Sequence, residues 1–237
     1  MLARTRQQAP IQEDENVFWV TMSDLLLGLF ITFVVLFVFA ITGFTQNKIK
    51  QQEIQYEVGK KLASEFKKNH INVEIDKVTG KIKISDLELF ELNKYELSPR
   101  GKKFLNKFLP IYLNTLFANK DIKKHIAQII IEGHTDSHTF IGAHSFQENY
   151  VKNMDLSLKR AGSVASYIVF INFPKKNSYE NNLIQLMSVN GKSFTEPIIV
   201  KGKEDYRKSR RVELKIMFKD YGIMDLLQKN KPPSNNK

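Results

Sequence analysis

Residues 25–44 read LLLGLFITFVVLFVFAITGF, a run of 20 residues without a charge. At about 1.5 Å per helical residue, this run is long enough to cross the roughly 30 Å core of a bilayer. A cleaved signal peptide has a shorter apolar region behind a basic start, whereas this run follows the acidic stretch EDE at residues 13–15. The sequence therefore predicts a retained transmembrane helix over residues 17–44, preceded by a short tail over residues 1–16.

The composition limits the classes of function. The chain has 237 residues, a formal net charge of +11 and no cysteine. It therefore has no disulfide framework, thiolate metal site or thiol nucleophile. A basic excess first suggests nucleic acid, but such surfaces concentrate basic and aromatic residues, whereas the lysines here are spread along the chain. The sequence also lacks a glycine-rich phosphate loop and a GxSxG elbow, so we expect no nucleic-acid partner, no enzyme activity and no cofactor.

Asp24 is the one ionisable side chain between residues 16 and 47. In one interpretation, Ser23 and Asp24 cap a helix that begins at Leu25. In the other, the helix begins earlier, because residues 17–20 are already apolar, and Asp24 then lies inside it. Spacings of three and four would place small and polar side chains on one stripe, namely Thr21, Asp24, Gly28 and Thr32. A carboxyl on such a stripe faces a neighbouring helix rather than lipid, which favours a proton-carrying role for Asp24.

Residues 45–72 are polar and rich in lysine, with apolar residues at every fourth position over part of their length. The pattern is typical of an amphipathic helix, and its apolar members are Ile54, Val58, Leu62 and Phe66. Such a helical linker could pair with a copy of itself, plug a pore, or cover the following domain. The sequence leaves all three open.

The rest of the chain alternates between strand and helix patterns. Alternating apolar residues predict a hairpin over residues 71–75 and 82–84, and further strands over residues 87–92, 126–132, 183–189 and 212–218. Ser98 and Pro99 begin one amphipathic helix, and Asp155 opens a second. These patterns predict an α+β sandwich over residues 73–219, in which two main helices cover one face of a small mixed sheet. We expect a flexible tail over residues 220–237, which end in PPSNNK.

Four motifs in a fixed order lie in this region. They are GHTD at residues 133–136, NMDLSLKRA at 153–161, GKSFTEP at 191–197 and SRRVE at 209–213. Together they resemble the OmpA-like peptidoglycan-binding domain, over roughly residues 82–218. The chain departs from that family in two ways. The stretch between Asp136 and Asn153 is longer than usual, and Ser193 and Ser209 replace a glycine and an asparagine.

The resemblance implies a ligand and the residues that bind it. In that family the bound group is the zwitterionic centre of diaminopimelate in the peptide stem of the cell wall. A carboxylate for its ammonium and a guanidinium for its carboxylate are the matching groups, which the motifs assign to Asp136 and Arg160. Asn153 and Leu156 would complete or support the rim. Two simpler interpretations stay open, in which Asp136 and Arg160 pair only with each other, or Asn153 only caps a helix.

Further features of the sequence bear on two remaining points. Arg210 and Arg211 are expected to have structural roles beside this site. Four possible metal ligands lie close together in the sequence, namely His134, Asp136, His138 and His144. Two of them already belong to the GHTD motif, and HxxxH without an adjacent glutamate is a weak signal, so we expect no metal.

The whole layout resembles the B subunit of ion-driven stator complexes, the MotB class. The residues that carry the match are Phe18, Trp19 and Asp24, followed by a phenylalanine-rich helix and the OmpA-like region. The resemblance implies a homodimer inside a multi-span MotA-like partner, proton passage through Asp24, and attachment to peptidoglycan. It also implies a bacterial inner-membrane protein with a cytoplasmic N-terminus and a periplasmic domain, although lysines after the span would suggest the reverse orientation.

Two details favour one family within that class. Flagellar members carry Tyr-Ala-Asp at the span and a basic tail, whereas this chain has Met22-Ser23-Asp24 and the acidic stretch at residues 13–15. The chain therefore resembles the ZorB family of Zorya anti-phage defence, whose partner is the MotA-like ZorA. A flagellar MotB subunit and a passive OmpA-family wall anchor are the alternatives.

Overall fold

A computed structural model describes residues 12–178 and 180–219. It divides into two units, one ending at Lys48 and a compact one beginning at Ile49. The expectations for residues 1–11 and for the tail from residue 220 fall outside the described residues. The first helix, α1 (Gln12–Lys68), contributes residues to both units.

The first unit consists of the apolar part of α1. Its side chains from residue 17 to residue 39 are all exposed, and among the described residues it is the one helix long and apolar enough to cross a membrane. Because α1 begins at Gln12, Ser23 and Asp24 lie well inside the helix and the capping interpretation is wrong. The Ser23 hydroxyl instead donates to the carbonyl of Trp19 at 2.8 Å, a bond that satisfies the hydroxyl within its own helix.

The second unit is an α+β domain, as predicted. After α1, its helices are α2 (Asp86–Leu89), α3 (Pro99–Phe117), α4 (Lys120–His125), α5 (Phe146–Phe170), α6 (Glu180–Leu186) and α7 (Tyr206–Ser209), with a 3-10 turn over Lys176–Ser178. Its strands are β1 (Glu74–Ile75), β2 (Ile82–Ser85), β3 (Ile126–His134), β4 (Met187–Gly191), β5 (Ile199–Val200), β6 (Lys203–Glu204) and β7 (Arg211–Phe218).

Five strands form one mixed sheet in the order β1-β2-β7-β3-β4, while β5 and β6 form a separate hairpin. β3 and β4 are parallel and the other pairs are antiparallel. Leu214 of β7 lies opposite both Ile82 and Ile131, so these side chains share a face of the sheet. This apolar face carries the core, which also takes in the buried residues of α3 and α5.

The end of α1 belongs to this core. Val58, Leu62 and Phe66 are almost fully buried, and the Phe66 ring stacks on Phe108 of α3 with centroids 5.0 Å apart. Of the three interpretations of the linker, the structure supports the one in which it covers the domain. The face available for self-pairing or for plugging a pore is the face already packed in the core.

Several element predictions are confirmed. β1 and β2 form the hairpin, and β3 and β7 occupy the strands predicted near residues 126 and 212. Ser98 caps α3, because its side chain accepts a hydrogen bond from the Gly101 amide at 2.9 Å. Pro99 occupies the first turn, where no partner for its missing N–H is required.

Three element predictions are wrong. Residues 87–92 contain the end of α2 and a single bridge between Phe90 and Leu97, not a strand. The second main helix begins at Phe146 rather than at Asp155, because Ser145 caps it by accepting from the Glu148 amide. Residues 183–186 belong to α6 rather than to a strand. The parallel pairing with β3 starts only where Met187 lies opposite Ile129.

Candidate functional site

The register of the sheet brings several polar residues to one edge. β2 ends at Ser85 opposite Arg211, where β7 begins, and β3 ends at His134 opposite the same residue. The residues directly beyond these positions are Asp86, Arg210 and, after one more residue, Asp136. Strand ends that lie side by side place the residues directly beyond them close together. The candidate site lies at this edge, covered by α5.

Asp136 is buried and pairs with two basic side chains. One of its carboxylate oxygens accepts a hydrogen bond from Arg210 Nη1, and the same oxygen lies 3.3 Å from His138 Nδ1. The other oxygen accepts from the His138 amide at 3.3 Å. The His138 ring in turn packs on Tyr206. Asp136 is therefore a carboxylate that already binds a guanidinium.

Arg160 is also buried, with only 3% of its surface exposed. Its Nε donates to the Lys94 carbonyl at 2.9 Å, its Nη1 lies 3.2 Å from Asp86 Oδ1, and its guanidinium lies over the Phe90 ring. Burial lowers the pKa of Arg160 while Asp86 opposes this shift, and a guanidinium remains charged under such conditions. Three neighbours thus fix its orientation.

Within the described residues, Asp136 and Arg160 form no ion pair with each other. Each has another partner, Arg210 for Asp136 and Asp86 for Arg160, so the interpretation in which they pair only together is wrong. Arg210 thus contacts a predicted site residue directly. The result is a group of four buried or half-buried charges, two of each sign, which could receive a ligand carrying both an ammonium and a carboxylate.

Asp86 is the site residue that the sequence reasoning missed. It is 2% exposed and lies between Arg160 and Arg210. Burial raises the pKa of Asp86 above its ordinary value, and the charges of Arg160 and Arg210 oppose that shift. An acidic residue directly after a predicted strand was the available signal. The strand wrongly predicted over residues 87–92 concealed that Asp86 lies at a strand end.

Asn153 and Leu156 lie on α5, two turns and one turn before Arg160 respectively, and both are buried. Asn153 does not cap the helix. Its side-chain amide donates to the Asn149 side chain at 2.9 Å, and Asn149 accepts the Phe140 amide at 2.7 Å. Asn153 therefore supports the long loop after Asp136. Residues 146–152 of this long stretch form the first two turns of α5.

The two substituted motif positions have local explanations. Ser193 has a φ of +51°, in the left-handed region where glycine is usual. Its amide donates to Ser157 Oγ and its hydroxyl to the Tyr150 carbonyl, both at 3.1 Å, and these bonds hold the residue in that conformation. Ser209 is fully buried, and its hydroxyl accepts a hydrogen bond from the Ile198 amide at 3.0 Å.

A second charged cluster lies on the polar face of the sheet. Glu132, His134 and Glu213 are buried, and one ligand atom of each lies within 4.8 Å of the others, as a metal site would require. The ammonium of Lys215 contacts Glu132 and lies 3.4 Å from Glu213, while Arg211 Nε donates to Glu213 at 2.7 Å. Basic side chains therefore already neutralise both carboxylates, so the cluster is better described as an ion-pair network.

The pKa values of His134 and Glu213 in this network are strongly shifted. Burial, with the charge of Arg211, lowers the pKa of His134 to about 4. Burial disfavours the charged form of Glu213, but its hydrogen bond and ion pair with Arg211 outweigh this and lower its pKa to about 2. His134 is consequently a neutral ring, and Glu213 an ionised carboxylate, near neutral pH.

Comparison with known proteins identifies the family. The chain is 33% identical over 224 residues to the Zorya protein ZorB of the Crooks strain of Escherichia coli, covering 89% of this chain and 92% of that protein. The chain belongs to the ZorB family. A Zorya protein ZorB from another Escherichia coli strain is 26% identical over 240 residues, covering 95% of this chain and 91% of the relative. No protein-family model matches the ZorB-family chain.

A solved structure shows the same fold. A putative MotB-like protein from Desulfovibrio vulgaris superposes with a TM-score of 0.51 at 16% identity, covering 73% of this chain and 96% of that chain. The predicted fold class, an N-terminal apolar helix followed by an α+β domain with a small mixed sheet, is confirmed. With one candidate span in the part of the chain that the structure describes, this ZorB-family chain is a single-pass inner-membrane protein.

Proposed function

We propose that this chain is the wall-anchored stator subunit of a proton-driven, MotA/MotB-like complex that acts in anti-phage defence. The observation that carries the proposal is that one chain combines a carboxyl inside an apolar helix with a buried, charge-balanced site in a compact domain. The names of the relatives, Zorya protein ZorB, support the role in defence. In this proposal the chain binds and conducts, and it catalyses no reaction.

The anchoring half of the proposal concerns the site at the sheet edge. Asp136 would bind the ammonium of diaminopimelate and Arg160 its carboxylate, with Asn153 and Leu156 supporting the rim. The ligand centre adds one positive and one negative charge, so it leaves the balance of the site unchanged. Such balance matters because an uncompensated buried charge costs several kcal/mol.

The conducting half concerns Asp24. The hydroxyls of Thr21 and Thr32 are satisfied by carbonyls of their own helix, at 3.0 and 2.8 Å, so they need no lipid-side partner. A Cβ added at Gly28 would meet no atom within 4 Å, which leaves room on this stripe for another helix. We propose that a second copy of the chain and a multi-span, ZorA-type partner lie against it, and that protons pass through Asp24.

The proposal also fixes an orientation. Peptidoglycan lies on the outer side of the inner membrane, so the domain would be periplasmic and the N-terminus cytoplasmic. The lysines after the span do not oppose this arrangement, because large domains are translocated largely regardless of their charge.

Wall anchoring is tested by pelleting. We expect the full-length chain in detergent to sediment with purified peptidoglycan, and Arg160→Ala to reduce the bound fraction about tenfold or more, because a charge-assisted contact is lost. The matched control is Lys159→Ala, since Lys159 is exposed and its ammonium contacts Asp155 and the Tyr95 ring rather than the site. Equal sedimentation of Arg160→Ala and wild type would exclude the assigned site.

Ion conduction is tested by plaque counts. We expect Asp24→Asn to abolish phage protection at unchanged membrane expression, because an amide carries no exchangeable acid proton. Ser23→Ala is the control, since its hydroxyl bonds only within α1. Full protection by Asp24→Asn would leave the passive wall anchor as the better description of the chain.

A further inference from the structure

Four charges alternate in sign across the candidate site. In spatial order they are Arg160, Asp86, Arg210 and Asp136. The outer contacts are close, with Arg160 Nη1 at 3.2 Å from Asp86 and Arg210 Nη1 hydrogen-bonded to Asp136. The central contact is longer, with Arg210 Nε and Asp86 Oδ2 4.0 Å apart.

At this long contact between Arg210 and Asp86, polar atoms lack hydrogen-bond partners. Arg210 Nε is buried and donates no hydrogen bond, and neither oxygen of Asp86 accepts one. A buried donor and a buried acceptor that lack partners are both costly. The distance between Arg210 Nε and Asp86 Oδ2 is about 1 Å longer than a hydrogen bond. In this state Arg210 is held on Asp136, away from Asp86.

A ligand ammonium would change this arrangement. It would compete with Arg210 for Asp136, since both are cations that bind the same carboxylate. The side chain of Arg210 is 22% exposed, so it has room to shift, whereas Arg160 is held by three neighbours. Without another acceptor the displaced guanidinium would lose its partner, which is unfavourable for a largely buried charge.

We propose that Asp86 receives Arg210 when a ligand ammonium occupies Asp136. The inference rests on the proposed binding of diaminopimelate at this site. On binding, Arg210 Nε closes on Asp86 Oδ2 and forms the hydrogen bond that is missing in the free protein. Asp86 is thus a positioning residue, which orients Arg160 at all times and accepts Arg210 only in the complex.

Arginine Nε–H signals report this exchange directly. The chain has seven arginines, so few such signals overlap in the full-length protein labelled with ¹⁵N-arginine. With meso-diaminopimelate as the probe, we expect the Arg210 Nε–H signal to shift and to exchange more slowly with water. Pimelate is the control ligand, because it has both carboxylates but no ammonium, and it should leave that signal unchanged.

A variant tests the same step by affinity. Asp86→Asn keeps the shape but removes the charge, and we expect it to bind meso-diaminopimelate about tenfold more weakly in calorimetry. Glu88→Gln is the matched control on the same short helix, since Glu88 pairs with Arg100. It should bind like the wild type.

The outcomes separate the two proposals. If the wild type does not bind the probe, the proposed wall anchoring fails and the exchange fails with it. If the wild type binds in an Arg160-dependent manner but the Arg210 signal does not respond, only the exchange is wrong. This spectroscopic result is decisive even if Asp86→Asn proves unstable, because it needs no variant.

Discussion

Gly133 shows how a single residue positions the candidate site. It is the penultimate residue of β3 and lies directly against α5, the helix that carries Arg160. A Cβ added at this position would lie 1.9 Å from the Ser157 carbonyl oxygen, far inside contact distance. Only glycine allows this approach of strand and helix. The same approach brings Asp136 and Arg160 to one edge of the sheet.

We therefore expect Gly133→Ala to lower the free energy of unfolding of the domain by about 3 kcal/mol, because the backbone must move to admit the methyl group. The control is Gly162→Ala on α5, where an added Cβ meets nothing within 4 Å. That change should raise stability by about 1 kcal/mol, as for other glycines inside helices. Urea unfolding of the full-length chain followed by circular dichroism measures both values. Equal effects of the two substitutions would contradict the close approach.

At the scale of elements, the end of α1 is part of the domain that follows it. Leu62 is fully buried within the core, beside Val58 and Phe66. The compact unit accordingly begins at Ile49, within the stretch that sequence reasoning treated as a linker. Shortening the domain to start near residue 73 would expose this part of the core.

A substitution on this helix tests whether its apolar face stabilises the domain. We expect Leu62→Ala to destabilise the domain by roughly 2–5 kcal/mol, because it leaves a cavity in a packed core. The neighbouring Lys61→Ala removes an exposed side chain and should change stability by less than about 0.5 kcal/mol. Thermal unfolding of both variants provides the comparison. An unchanged midpoint for Leu62→Ala would favour a helix that acts as a separate plug.

The elements also show how far a single sequence can be read. Regular patterns gave the hairpin, α3 and the strands β3 and β7, because each has clear alternation or a cap such as Ser98. The strand predicted over residues 87–92 was wrong, since a short helical turn followed by one bridge has the same apolar spacing as a strand. The motifs located Asp136, Arg160 and Arg210, but they did not show which of these charges pair, and Asp86 lies in none of the motifs. Only the sheet register brings these pairs together.

At the scale of the whole molecule, the charge is divided unevenly. Residues 1–47 contain two basic and four acidic side chains, a net charge of −2. Because the whole chain has a net charge of +11, the remaining residues have a net charge of +13. Under the proposed orientation, this positive excess faces the anionic cell envelope. Long-range attraction of this kind speeds the approach to a wall but does not select a ligand. The selection belongs to the four charges of the candidate site.

The ion-pair network on the polar face of the sheet makes the stability of the domain depend on pH. The folded pKa of His134 is about 4, below its ordinary 6.5, so between these values the unfolded chain binds a proton that the folded chain does not. Stability must then fall as pH decreases through this window, by on the order of 3 kcal/mol for this residue. We expect urea unfolding of the full-length chain to show this loss between about pH 7 and pH 4. His134→Gln should flatten the dependence, whereas His144→Gln, at an exposed position, should leave it unchanged. A wild-type stability that stays constant over this range would contradict the prediction, because folded His134 would then take up its proton with the same pKa as in the unfolded chain.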